Sequence, residues 1–294
     1  MKFITFETKN NEQRLGLVQD DEIVIDLITL EPNNKSFTSM LDLINAGSEA
    51  LDILKKKLKS TISDRAIVNK TDIKIIAPIP RPNRNIYCVG LNYAEHNDEF
   101  SGENSSIPEA PIIFSKVPTS VIGPEQLVDS HPNITNEVDY EAELGVIIGI
   151  GGRDIPKENV YDHIFGYTVI NDITARDLQR VHKQWLLGKS LDTHCPMGPY
   201  IVHKDEISDP ENLNIMSKVN GELRQSSNTK HMIFDIPTII STISKGHTLE
   251  AGDIIATGTC AGVGMGFNPP KYLKSGDVVE VEVQDVGLLR NPIS

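Results

Sequence analysis

Apolar and polar residues alternate at the start of the chain. Lys2-Phe3-Ile4-Thr5-Phe6, Arg14-Leu15-Gly16-Leu17-Val18 and Glu22-Ile23-Val24-Ile25-Asp26 predict short strands separated by turns. The period then changes. Met40, Leu41, Leu43, Ile44, Leu51 and Leu54 fall near helical spacing and predict a helix over 36–58. Ala77-Pro-Ile-Pro-Arg-Pro82 breaks any regular element, because proline fixes φ and lacks the backbone donor. That connector divides the chain into an N-terminal β-rich domain with a helix, residues 1–76, and a second domain, residues 77–294.

The second domain is dominated by strand patterns. They fall at 85–89, 112–114, 141–150, 165–170, 200–203, 214–220 and 253–257, with a last strand at 277–283. Asn220-Gly221 stands between two such runs and predicts a tight hairpin, since both turn positions favour positive φ. Helices are few: one from Asn92 and one over 237–244, with Pro237 in its first turn. The fold class is therefore a β-rich α+β protein.

Composition narrows the function without naming it. Of 294 residues, 39% are hydrophobic and 23% charged, which suits a folded globular chain. The net charge of −13 and the lack of a basic stripe argue against a nucleic-acid partner. No apolar run approaches the ~20 residues that span a bilayer, and the polar start of the chain does not read as a signal peptide. Cys88, Cys195 and Cys260 are far apart and lack metal or disulfide spacing, so a cytoplasmic setting is expected.

Three features carry candidate chemistry. Glu141 and Glu143 stand two apart on a predicted strand, so both carboxylates share a face, with Tyr140, Ala142 and Leu144 on the other. Asp172 ends the next apolar strand. Three carboxylates without His or Cys would suit a hard cation, Mg²⁺ or Mn²⁺. The same spacing also describes an amphipathic strand with its acidic face in water. His96 and Glu99 sit at i and i+3 on the helix after Asn92, where a carboxylate can fix the tautomer of a general base. An exposed His–Glu pair is the simpler alternative.

Thr257-Gly-Thr259-Cys-Ala-Gly262-Val-Gly264-Met-Gly266 superficially invites a dinucleotide reading, but Pro269-Pro270 forbids the helix that fingerprint requires. The loop instead lines a small-ligand pocket or is purely structural. Lys189, taken alone, reads as a solvated charge.

Taken together, these segments resemble the fumarylacetoacetate hydrolase superfamily in its bacterial stand-alone form. The matching pieces are Cys88-Val-Gly-Leu-Asn-Tyr93 with His96 and Glu99, then Asp139-Tyr-Glu-Ala-Glu-Leu-Gly145 and Asn171-Asp-Ile-Thr-Ala-Arg-Asp177. Gly188-Lys-Ser190, Val219-Asn-Gly-Glu-Leu-Arg224 and Ala256-Thr-Gly-Thr259 follow in the family's order. The resemblance implies a mixed β-sandwich roll with a smaller N-terminal β-rich domain, assembled as a homodimer. It implies one Mg²⁺ or Mn²⁺ at Glu141, Glu143 and Asp172, a catalytic set of His96, Glu99 and Lys189, and substrate contacts from Gln179 and Thr259. Val89 stands where the eukaryotic hydrolase has a further carboxylate ligand. Cys260 replaces a proline found in many relatives.

The implied substrate is a small anionic 2-oxo or β-keto acid that passes through an enolate. C–C cleavage comes first, as oxaloacetate-type decarboxylation or acylpyruvate-type hydrolysis. Enol–keto tautomerisation of the same substrates is the alternative. A rival from another class is a non-catalytic binding or scaffolding module. A lid over 102–111 is a further expectation.

Overall fold

The N-terminal strand pattern and the later apolar strands join in one sheet. In a computed structural model describing residues 1–101 and 107–294, that sheet starts with Ile67–Asn69, Ile23–Asp26, Gln13–Val18 and Lys2–Glu7. It continues through Cys195–His203, Ile164–Asn171, Ala142–Ile148, Ile254–Thr259, Ile86–Gly90 and Ile112–Lys116. Its neighbours along this path are antiparallel except Ile254–Thr259 beside Ile86–Gly90, so the sheet is mixed. A second, antiparallel sheet runs Glu222–Asn228, Asn214–Val219, Val278–Val283 and Gly287–Pro292.

The two sheets stack into a sandwich. Leu144, Val146, Ile148, Tyr167 and Val169 share one core with Ile215, Val219, Val279 and Val281. On the opposite face, Ile147, Ile170, Ile201 and Ile254 share a core with Leu43, Ile44, Leu51 and Leu54 of the long helix. All of Ala142–Ile148 and Ile164–Asn171 is consequently buried. A strand covered on both faces reads as a continuous apolar run rather than an alternation. Residues 144–150 have that character.

The helix is Met40–Lys57, shorter than expected at its start because Ser39 caps it through the Asp42 amide. The preceding residues Lys35–Phe37 form a separate 3₁₀ turn. The predicted hairpin is present: Asn220 and Gly221 have φ of 53° and 79°, and Val219 pairs with Glu222. The strand expected to be last, Val278–Val283, is followed by another, Gly287–Pro292. Asp285 at φ 62° and Gly287 at φ 154° fold the chain back tightly, and this turn carries none of the usual two-residue hairpin signatures. The helix expected from Asn92 starts at Ala94. Asn92 is instead buried, and its amide ties Phe234 to Thr257.

The lid expected over 102–111 falls in part on residues 102–106, which lie outside the described residues. Among the described residues, no helix is long and apolar enough to cross a membrane. All three cysteines are free and buried.

Candidate functional site

The two central strands bring the carboxylates together. Ala142–Ile148 pairs antiparallel with Ile164–Asn171, placing Glu143 opposite Ile170 and Ala142 opposite Asn171. The Asp172 amide donates to the Glu141 carbonyl at 2.9 Å, and the Glu141 amide donates to the Asn171 side-chain oxygen at 3.0 Å. Glu141, Glu143 and Asp172 thus offer oxygens that all lie within 4.8 Å of one another. The three are 4%, 1% and 0% exposed, which rules out an acidic face in water. Tyr140, Ala142 and Leu144 point the other way, into the sandwich core.

Three buried cations surround the carboxylates. The Lys189 ammonium donates to Glu141 at 2.7 Å and to Asp172 at 2.8 Å. Lys116 donates to the other Asp172 oxygen at 2.5 Å and to the Ile173 carbonyl at 2.9 Å. Arg176 pairs with Glu141 at 2.7 Å and, through Nε, with Asp139 at 2.9 Å. Lys189 is therefore a buried charge and not a solvated one. Burial works against its protonation, yet Asp172 and Glu141 hold its pKa above the usual lysine value. Burial likewise opposes ionised Glu141, but Lys189 and Arg176 prevail and lower it to about 2.

Glu143 is different. Among the described residues no ion pair reaches it, and it accepts the Gly258 amide at 2.8 Å. Burial first, then Asp172 and Glu141, push its carboxyl well above the ordinary range. Counted as ionised, Asp139, Glu141, Glu143 and Asp172 outnumber the cations paired with them among the described residues, Lys116, Arg176 and Lys189, by one, and the raised Glu143 carboxyl is where the metal-free cluster relieves that excess. Buried charge of this kind is costly unless neutralised. An oxygen-only donor set with excess negative charge fits a hard divalent cation such as Mg²⁺ or Mn²⁺.

His96 and Glu99 lie on the helix Ala94–Ser101. His96 is buried, its Nδ1 is 3.2 Å from Glu99, and the other Glu99 oxygen accepts the Gly262 amide at 2.8 Å. The glycine loop therefore has a defined task. Gly262 holds Glu99, while the Gly264 and Met265 amides donate to Asp139 at 2.6 and 3.0 Å. Gly258 is required in its own right: its φ is +102°, and a Cβ there would lie 2.7 Å from that of Asn92.

One narrow cavity collects the reactive groups. Its polar lining is His96, Glu141, Arg176, Gln179, Lys189 and Thr259, and its apolar walls include Phe114 and Trp185. Glu99, Glu143 and Asp172 do not line it but contact or adjoin residues that do. All the residues singled out in the sequence are thus brought to one place.

Lys116, Arg176, Asp139 and Gln225 were not singled out. Arg176 and Asp139 lay within the quoted motifs. Lys116 had a weak signal, sharing a strand face with Ile112 and Phe114. Gln225 had none.

Lys189 is positioned by a close approach. A Cβ on Gly188 would lie 2.6 Å from the Gln179 nitrogen and 2.9 Å from the Ala175 oxygen, both backbone atoms. Gly188→Ala should therefore displace the turn carrying Lys189, destabilising the protein by roughly 1–3 kcal/mol as overpacking does. Thermal unfolding and turnover check this together; a variant matching wild type in both would remove Gly188 from the argument.

The comparisons agree with this architecture. Residues 85–294 match the family model described as fumarylacetoacetate (FAA) hydrolase C-terminal. The chain is 47% identical to oxaloacetate tautomerase YisK of Bacillus subtilis (strain 168), over 100% of both proteins. Fumarylacetoacetate hydrolase from the psychrophile Exiguobacterium antarcticum has a similar solved structure. Its TM-score is 0.85 at 41% identity, covering 100% of this chain and 99% of that one. Maleylpyruvate hydrolase from Sphingobium sp. SYK-6, solved with manganese(II) and pyruvate, gives 0.79 at 30% identity, covering 100% and 98%. The fold is a β-rich α+β sandwich with a smaller N-terminal β-rich domain, and the chain belongs to the fumarylacetoacetate hydrolase family.

Proposed function

We propose that this chain is a divalent-cation-dependent keto–enol tautomerase of a small 2-oxo dicarboxylic acid of the oxaloacetate type. The observation that carries the proposal is one cavity lined by His96, Glu141, Gln179, Lys189 and Thr259, in a chain with such similarity to an oxaloacetate tautomerase along its whole length. Charge supports it. A divalent cation at Glu141, Glu143 and Asp172 turns the cluster from one excess negative charge to one excess positive charge, which suits an anionic substrate. When bound there, the cation supplies a Lewis acid that stabilises negative charge on substrate oxygens.

The chain's own residues do the rest. Glu99 accepts from His96 Nδ1, leaving the Nε2 lone pair free to take or return a proton. In ketonisation the substrate's C2 hydroxyl gives its proton to His96 as C2=O forms, and the C2=C3 electron pair takes a proton from His96 to make the C3–H bond, so the imidazole ends as it began. His96 carries the C3 proton in either direction. The Lys189 ammonium lies beside the cavity and opposes charge building on the substrate. The Gln179 oxygen accepts from Arg176 at 3.2 Å, leaving its amide hydrogens for the substrate. Phe114 and Trp185 limit water at one wall.

Hydrolytic C–C cleavage of an acylpyruvate is the second reading. The similarity to maleylpyruvate hydrolase favours it, and the same His–Glu pair can activate water. The test follows enol absorbance and pyruvate release in parallel, with Mg²⁺- or Mn²⁺-loaded protein given oxaloacetate or acetylpyruvate. Tautomerisation predicts accelerated enol decay without pyruvate, lost on chelation. His96→Gln should lower kcat about 10²–10⁴-fold while metal-induced thermal stabilisation persists. Pyruvate formed at a comparable rate would replace the tautomerase by a cleaving enzyme, and silence in both channels would leave a binding module.

A further inference from the structure

A residue outside the cavity fixes the polarity of one inside it. Gln225 lies on the strand Glu222–Asn228 of the small sheet and is fully buried. Its two amide ends are assigned by backbone partners whose chemistry is unambiguous. The Ala142 N–H donates to Oε1 at 3.0 Å, and Nε2 donates to the Cys260 carbonyl at 2.7 Å. Ser217 adds a second donor to Oε1 at 2.8 Å. An inverted amide would face donor with donor and acceptor with acceptor.

The remaining Nε2 hydrogen points to Thr259 Oγ1 at 2.7 Å. Thr259 Oγ1 in turn donates to the Ala142 carbonyl at 2.9 Å. A carbonyl can only accept, so the hydroxyl hydrogen is committed there. A hydroxyl has one hydrogen and two lone pairs. With the hydrogen given to Ala142 and one lone pair taken by Gln225, a single lone pair is left for a ligand.

We propose that Gln225 is a positioning residue that makes the Thr259 hydroxyl an acceptor-only subsite, selecting ligands with an O–H over ligands that offer only oxygens that accept. This inference rests on the cavity being the substrate site, as proposed above. In that setting it favours the enol, which carries a hydroxyl, over the keto form, which carries a carbonyl at the same position. Each arm of the chain Ser217 to Gln225 to Thr259 to Ala142 is buried, so water does not compete for the same bonds.

The test measures binding, not turnover. Two probes are titrated calorimetrically into Mn²⁺-loaded protein: oxalate, whose oxygens only accept, and tartronate, which adds a hydroxyl. Thr259→Val removes the lone pair at nearly constant shape, and Thr259→Ser restores it. Tartronate should weaken about 5- to 10-fold in Thr259→Val, the span of one neutral hydrogen bond, with oxalate unchanged, and tartronate should recover in Thr259→Ser. Gln225→Met leaves the Ala142 carbonyl but removes the donor that holds one lone pair and, with that carbonyl, fixes the hydroxyl in one orientation, so the tartronate-to-oxalate preference should shrink with Thr259 intact.

Equal weakening of both probes in Thr259→Val, or loss of oxalate alone, would overturn the proposal. An unchanged preference in folded Gln225→Met would also do so. These outcomes are independent of whether the wild type proves to be a tautomerase, because they compare affinities and not rates.

Discussion

Glu143→Gln should stabilise the metal-free protein while abolishing its stabilisation by Mg²⁺ or Mn²⁺. Glu143 is buried, reached by one amide donor, and repelled by Glu141 and Asp172. Glutamine keeps the shape and the Gly258 hydrogen bond and cannot ionise. The gain grows as pH rises through the elevated Glu143 value and reaches the order of 1–3 kcal/mol, the cost of leaving a buried polar group poorly satisfied. Most substitutions of a buried residue act in the opposite direction.

The pH dependence has a definite sign. Glu143 binds its proton more tightly in the folded state than in the unfolded state. Its contribution is full below the ordinary carboxylate range and is lost as pH rises through the elevated native value. Glu141, lowered to about 2, contributes stability that disappears only at strongly acid pH. Between mildly acid and alkaline pH the Glu143 slope should therefore dominate this pair. Metal-free wild type should lose stability over that interval, and Glu143→Gln should lose less. Melting curves with and without chelator test both claims. A variant that melts below wild type without metal, or still gains from Mn²⁺, would remove Glu143 from the proposed ligand set.

The same cluster explains what could be read from the sequence and what could not. Period two placed Glu141 and Glu143 on one face, and the structure keeps them there. Their burial was less legible. The apolar run after Leu144 is consistent with a doubly covered strand, but the spacing also allows an acidic face in water, and only the long helix and the second sheet reveal what covers it. The cations were harder still. Lys116 and Lys189 come from segments far from Glu141 in sequence, and a lone lysine carries no local mark of burial. Gln225 reaches Thr259 from the other sheet, a contact that no period within one strand can foresee.

Function followed a similar course. Cleavage and tautomerisation share a cation, a general base and a developing enolate, so the motif residues alone did not separate them. The relatives, not a new residue, move tautomerisation ahead of cleavage in the proposal.

Lys189→Met should have the opposite effect on stability from Glu143→Gln. The ammonium bridges Glu141 and Asp172, and methionine replaces it with a side chain of similar reach and no charge. Removing one partner of a buried ion pair costs roughly 3–5 kcal/mol, because the remaining charges lose their compensation. Metal-free Lys189→Met should accordingly melt well below wild type. Added Mn²⁺ should recover more stability in the variant than in wild type, since the cation then meets carboxylates from which one counter-charge has been withdrawn. Turnover should still be reduced by at least about 10²-fold in the metal-loaded variant, because one of the two fixed positive charges lining the cavity no longer stabilises the charge growing on the substrate. Melting temperature and turnover thus separate two roles of one lysine, compensating the empty cluster and acting on the substrate. If metal-free Lys189→Met were as stable as wild type, the first role would fail. Full activity in the metal-loaded variant would end the second.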